Sequence, residues 1–366
     1  MARNAVILRR FESPLILATL LGLLMIASIG PSGVFGRSAA RFFKVVIRGK
    51  PNLLTEQAKV RGYYEQLVNP VWYNPALALT LQGVPDHWFK TEQKLLFDTG
   101  DLGIQAFRAN SSVLAKGVSV HINAWGMRDR EHDLIAKSGV SRIAILGTSV
   151  EAGSGVSYDE SFKALLERAL SSEYEVLNFS KPHSTAATEL FDLEFKVAPF
   201  KPAVVLVFSH AAELASNKQK VVTAVRQRVK ISYPEIARIV TEARLDAQLS
   251  ETDNLRRLYP FGEELLLRTY QAMIRICREN GFRPVLVYLP PIGDDFSLRL
   301  KQQILASALA AGFEIIDLSE VFEGHDPDTL TLAPWDSHPN SLGHQLIAEK
   351  LLIELKSKNV VLEKRH

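Results

Sequence analysis

The sequence predicts a three-layer α/β/α sandwich around a central parallel sheet, carried behind an N-terminal transmembrane helix. Three observations predict it. An uncharged apolar run lies near the N-terminus, short apolar strands alternate with amphipathic helices beyond Arg142, and the composition is that of a folded chain. Of 366 residues, 47% are hydrophobic and 23% charged, which excludes a disordered chain. Lys and Arg number 43 against 40 Asp and Glu, a formal charge of +3, so no global charge drives the chain toward nucleic acid. The single cysteine, Cys277, excludes a disulfide framework and a zinc site built on several thiolates.

The membrane helix comes first in the chain. No charge occurs from Ser13 to Gly36, and Leu15 to Ile29 is almost wholly aliphatic. At about 1.5 Å per residue this run can cross a hydrocarbon core of roughly 30 Å. A buried core helix would instead be amphipathic. A cleaved signal peptide would need a small-x-small site, and Pro31 spoils the one offered by Ser28-Ile29-Gly30. Residues 1–36 therefore read as an uncleaved signal anchor. Basic residues flank the run on both sides, Arg3, Arg9 and Arg10 before it and Arg37, Arg41, Lys44, Arg48 and Lys50 after it. Charge alone leaves the side of the membrane open. The following segment also carries Phe42, Phe43, Val45, Val46 and Ile47, which suits an interfacial helix on anionic headgroups.

Residues 37–116 read as a membrane-proximal region, mostly helical and irregular, with no nameable chemistry. Residues 117–358 read as the α/β domain, and 359–366 as a tail. The first strand is Ile143-Ala144-Ile145-Leu146, ending in Gly147. Ser157 and Glu160 form a capping box before Phe162, Leu165, Leu166, Ala169 and Leu170, one face of a helix. Val176 to Phe179 is the second strand, followed by a helix around Ala186 to Phe195. Ala203 to Phe208, Val285 to Leu289 and Ile315 to Leu318 are the remaining strands, and Ser341 to Leu355 a closing helix. Between the third and fourth strands, about 211–281 is helical throughout. A βαβ crossover needs only a dozen or so residues, so this stretch is an inserted helical subdomain. Apolar strands alternating with helices imply a parallel sheet covered on both faces.

Candidate chemistry sits where such a sheet collects it, beyond the carboxyl ends of its strands. The first strand delivers Gly147-Thr148-Ser149-Val150-Glu151-Ala152-Gly153 to that edge. A serine between a strand and a helix N-terminus has its own N–H aimed at a developing oxyanion. Near the C-terminus stands Trp335-Asp336-Ser337-His338-Pro339-Asn340. Asp and His two residues apart can hydrogen-bond, so that the carboxylate sets the imidazole tautomer and the far nitrogen takes a serine proton. Alone, the serine suits a structural cap and the Asp-x-His triplet a solvated loop. Together, in order and at matching strand ends, they suit a nucleophile, an acid and a base.

These blocks resemble the SGNH, or GDSL-type, hydrolases. The serine block is similar to that family's GDSxxxG, with Thr148 where Asp is usual. Residues 176–183 resemble its second block, and 201–208 the strand leading to its third. Asp336 and His338 resemble the final block, with the acid two residues before the histidine instead of the commoner three. Upstream, Asn123-x-x-Gly126-x-Arg128-Asp129-x-Glu131 is similar to a lead-in of membrane-anchored bacterial members. The resemblance covers roughly residues 120–210 and 330–355. It implies ester hydrolysis or acyl transfer by Ser149, His338 and Asp336, on an acyl-ester or glycan substrate outside the cytoplasm. Two departures stand out. His183 replaces the second block's oxyanion glycine, and Ala211 stands where the third block carries an asparagine donor. The His183 N–H survives, and His183 or His210 could swing in as a replacement side chain. A non-catalytic binding or assembly subunit of a polysaccharide system is the competing reading.

The remaining features have plainer readings. Cys277 reads as a buried small side chain, and His344 as a packing or surface residue. No metal ligands recur at metal spacing, Gly153-Ser154-Gly155 lacks the lysine of a phosphate loop, and no cofactor is expected. Lys218, Lys220, Arg226, Arg228 and Lys230 read as a solvated helix face, or else as a contact for anionic lipid or polymer. The insertion leaves from the edge where Ser149 emerges and is expected to cover the site.

Overall fold

The computed structural model describes residues 88, 90–170, 172–293 and 298–361. The expected anchor, residues 1–36, and the basic segment after it lie outside them. Among the described residues, no helix is long and apolar enough to cross a membrane.

Five strands form one parallel sheet: β5 (Ser141–Leu146), β6 (Tyr174–Asn178), β7 (Val204–Ser209), β8 (Arg283–Tyr288) and β9 (Glu314–Asp317), in the order β6-β5-β7-β8-β9. These are the strands expected from the apolar runs. Strand side chains alternate between faces, and the alternation builds two cores. Ala144, Leu146, Val205 and Val207 pack beneath α3 (Ala186–Asp192), α4 (Glu213–Arg226), α7 (Gly262–Asn280) and α8 (Leu298–Ala311). Ile143, Ile145, Leu206 and Phe208 pack beneath α2 (Phe162–Ala169) and α9 (Ser341–Ser357). Each such fully buried aliphatic side chain stabilises the fold by about 1.5–3 kcal/mol. The expected three-layer sandwich is therefore present.

The expected capping box is formed by Ser157 and Glu160, and Ser161 then caps α2 by accepting from the Ala164 N–H. The stretch between β7 and β8 is helical throughout: α4, α5 (Pro234–Glu242), α6 (Glu251–Leu258) and α7. It is less an insertion than a helical layer of the sandwich, because Val221, Ile236, Leu265 and Tyr270 all join one sheet-face core. Within its basic run Lys220 is buried, while Arg226, Arg228 and Lys230 are exposed. Cys277 is buried in the same core.

One expected region and two expected boundaries need correction. Of the region expected to be helical, 37–116, the described part carries one four-residue helix, α1 (Lys90–Gln93), and three strands: β1 (Leu96–Asp98), β2 (Gln105–Phe107) and β3 (Ser111–Ala115). Strands this short show too little alternation to be read. β3 pairs antiparallel with β4 (Val118–Ile122), so the expected domain boundary at 116/117 cuts a hairpin. At the other end, Val360 and Val361 are buried against the α2–α9 core rather than forming a tail.

Candidate active site

The switch in strand order, where β5 lies between β6 and β7, opens a crevice at the strands' carboxyl ends. The serine loop enters there. It is not a helix N-terminus as expected: residues 149–155 form successive turns, and the first helical turn begins at Tyr158. Gly153 and Gly155 adopt φ of +75° and +85°, which breaks any helix that would begin at Ser149. Helix polarity therefore does not act on Ser149. Gly147 has a separate constraint, since a Cβ there would meet the Glu151 Cγ at 2.5 Å. That space lets Glu151 fold back and accept the Thr148 N–H at 2.7 Å and its hydroxyl at 3.1 Å.

The lead-in block braces this loop. Buried Arg128 donates to the carbonyls of Ala152 at 2.9 Å, of Gly153, and of Val156 at 2.5 Å. Asp129 accepts from the Asn178 N–H at 3.0 Å and from Lys163 at 2.6 Å, and the Asn178 amide donates to the Glu151 carbonyl at 2.8 Å. A guanidinium forks onto several carbonyls at once, which suits a loop of successive turns that does not continue into a helix.

The C-terminal block is a strand and not a loop. β11 (Asp336–Pro339) pairs antiparallel with β10 (Thr331–Ala333), and residues two apart share a strand face. Asp336 and His338 therefore point the same way. His338 Nδ1 lies 2.5 Å from Asp336 Oδ1, and His338 Nε2 lies 2.8 Å from Ser149 Oγ. All three are buried. Burial pushes the Asp336 carboxyl up, but the charges and hydrogen bonds of His338 and Lys116 outweigh it and hold the group well below the usual carboxylate range.

The region given no chemistry supplies the other partners of Asp336. Lys116 Nζ, on the β3–β4 hairpin, lies 2.8 Å from Asp336 Oδ2. The Trp88 indole N–H donates to the same oxygen at 2.7 Å. Neither residue belongs to a motif, and no sequence signal marked them.

The two histidines offered as replacement donors fare differently. His183 holds φ of +62°, the left-handed conformation for which glycine is the usual residue. Its N–H thus sits on backbone of the kind glycine ordinarily supplies, and the residue lines the pocket together with Thr148. His210 also lines the pocket, but both of its nitrogens are engaged: Nδ1 donates to the Leu289 carbonyl at 3.1 Å, and Nε2 lies 3.2 Å from Glu151. Burial pushes the His210 imidazole down, and the Glu151 charge more than reverses this, so its pKa lies above the ordinary one. As an oxyanion donor His210 is corrected, because its two N–H groups are already spent. Ala211 contributes no donor side chain.

The pocket, about 640 Å³ of empty space with its open mouth included, flanks the serine through Thr148 and Val150, and the histidine through Ser337 and Pro339. One wall is apolar, from Leu289 to Ile292; the other holds Ser184, Thr185, Glu213 and Ser216. From the expected cover only Ala212, Glu213 and Ser216, at the start of α4, reach it. The Glu213 carboxylate accepts the Ala186 N–H at 2.8 Å, and burial pushes its pKa up to about 7 against that hydrogen bond. His344 is a packing residue: it stacks on Phe162 at 5.9 Å, and burial holds its pKa down to about 3. Among the described residues, no three His, Cys, Asp or Glu side chains cluster to hold a metal ion.

No family model and no curated protein matches this chain. The solved structures similar to it include GDSL-type lipolytic hydrolases. A lipolytic protein of the G-D-S-L family from Desulfitobacterium hafniense is 17% identical, with 59% of this chain and 99% of that chain covered, at a TM-score of 0.36. A lipase/acylhydrolase from Enterococcus faecalis is also 17% identical, with 60% and 97% covered, at 0.36. The protein TesA is 18% identical, with 59% and 99% covered, at 0.38.

Proposed function

We propose that this chain is a serine-dependent ester hydrolase or O-acyltransferase of the SGNH type. One observation carries the reading: Ser149, 189 residues from His338 in sequence, stands with His338 and Asp336 in a continuous relay of 2.8 Å and 2.5 Å. In this reading Ser149 Oγ attacks the acyl carbon as His338 Nε2 takes its proton, and Asp336 fixes the tautomer and stabilises the imidazolium. The N–H groups of Ser149 and His183 receive the oxyanion. His338 then gives the proton to the departing alkoxide. Water or an acceptor hydroxyl, deprotonated in turn by His338, releases the acyl group from Ser149.

The substrate in this reading is an acyl ester, on an envelope or extracellular glycan. The polar wall of Ser184, Thr185, Glu213 and Ser216 supports a hydroxyl-bearing partner. The uncharged run Ser13–Gly36 supports single-pass membrane anchoring, and the resemblance of residues 123–131 to the lead-in of membrane-anchored members favours an α/β domain outside the cytoplasm. A non-catalytic binding subunit is favoured by the absent asparagine donor at Ala211, since losing one such donor costs about 10²–10³ in rate. The assembled relay argues against it. A fluorophosphonate probe decides between them: wild type becomes covalently labelled and Ser149→Ala does not. Equal labelling of both, or of neither, overturns the enzyme reading.

A further inference from the structure

We propose that Lys116 is a positioning residue of the Ser149 relay, a cation built into its acid end that sets the pH at which His338 accepts a proton. This rests on the reading of Ser149, His338 and Asp336 given above. Lys116 occupies the turn of the β3–β4 hairpin with φ of +49°, and Gly117 follows at +82°. The tight turn sends the lysine inward: its side chain is only 2% exposed, and that of Asp336 is fully buried. The ammonium meets Asp336 Oδ2 at 2.8 Å and Ser154 Oγ at 2.9 Å, and stands 3.4 Å from His338 Nδ1. Trp88 donates to the same Oδ2 at 2.7 Å. With Oδ2 held by two donors, Oδ1 faces His338 and accepts both from its ring and, at 3.1 Å, from its backbone N–H.

The charge has a consequence beyond geometry. A lone carboxylate behind a histidine stabilises the imidazolium that forms as the serine loses its proton. A cation against that carboxylate offsets part of the stabilisation. His338 then holds the proton less tightly and gives it up more readily to the leaving group. That bias suits esters whose leaving alkoxide must be protonated, such as a sugar hydroxylate, more than phenolate esters that depart unaided. Other charged or titratable groups face this end. Glu92 on α1 accepts from Ser154 at 2.9 Å and its charge reaches Arg128, while His344 on α9, kept neutral by burial, lies close enough to His338 to feel its charge.

The test follows the reaction of Ser149 with a fluorophosphonate across pH 4.5–9, in the full chain held in detergent and read by intact mass. Ser149 Oγ bonds to phosphorus, the P–F bond breaks, fluoride leaves and the serine proton passes to His338. In Lys116→Met the acidic limb of the rate is expected about one pH unit above that of wild type, a tenfold change in proton affinity. Lys116→Arg is expected to restore the wild-type limb. Should Lys116→Met fail to fold, Lys116→Gln carries the same comparison. A slower variant whose limb coincides with wild type has lost structure only, and overturns the proposal. If wild type itself does not react, the enzyme reading fails separately. The ¹⁵N imidazole signal of His338, titrated in wild type and the neutral variant, then decides: displaced titrations support the role of Lys116, and coincident ones overturn it.

Discussion

Glu151 and His210 form a buried ion pair beneath the serine loop, with His210 Nε2 3.2 Å from the carboxylate. The pair sits among further acids. Glu213 lines the same pocket, and burial together with Glu213 and Glu151 raises the carboxyl of Glu189 well above its ordinary value. Buried acids are thus concentrated under the site: Glu151 is ionised against His210, and Glu213 and Glu189 are pushed toward their protonated forms.

That cluster makes stability fall as pH rises. Glu213 binds its proton up to about pH 7 when folded, against 4.5 ordinarily, so the folded state holds the extra proton between those values. His210, raised above 6.5, acts in the same direction: its contribution is full below 6.5 and is lost through its raised pKa. The expected loss between pH 5 and pH 8 is on the order of 1–3 kcal/mol. Glu213→Gln should remove part of it. Urea midpoints at both pH values measure this, and a pH dependence unchanged by the substitution would count against it.

His183 tests the oxyanion assignment through its backbone. Its left-handed conformation costs roughly 1–2 kcal/mol, while glycine brings about 0.5–1 kcal/mol of extra chain entropy. His183→Gly should therefore stay within about 1 kcal/mol of wild type and label at a rate within a few-fold. His183→Val, β-branched where φ is positive, should displace the N–H and slow labelling by about 10². Fast labelling of the valine variant would remove His183 from the oxyanion site.

Arg128 holds three carbonyls of the serine loop. Arg128→Ala leaves those of Ala152 and Val156 without that donor, at about 1–3 kcal/mol each before relaxation, while the Gly153 carbonyl keeps the Val156 N–H at 3.2 Å. A net destabilisation of about 3 kcal/mol is expected in denaturant. Lysine cannot reproduce the fork, so Arg128→Lys should recover less than half of it.

Deletion of residues 1–36 should release the chain from a membrane fraction to a soluble one, as measured by sedimentation and blotting. A truncated chain that still sediments with membranes would assign anchoring elsewhere.

The five sheet strands were legible because each is a continuous apolar run, and such runs owe their pattern to burial on both faces. Ser149 was legible because it follows one of those strands directly. Asp336 and His338 were legible because their pairing is local, although the strand that aligns them was read as a loop. His183 was marked by a resemblance, and its positive φ gives that mark a physical basis.

Tertiary structure alone decided the rest. Ser149 meets His338 because the strand order brings residues 189 apart to one sheet edge. Trp88 and Lys116 reach Asp336 across 248 and roughly 220 residues, and no local pattern encodes a contact made at such a distance. The same holds for His210, whose sequence position offered a free donor until folding set Glu151 and the Leu289 carbonyl against its two nitrogens. Periodicity and short spacings record what neighbouring residues do to one another. The partners of a buried charge are settled only when the chain closes around it, because desolvation makes an unpaired charge too costly to bury.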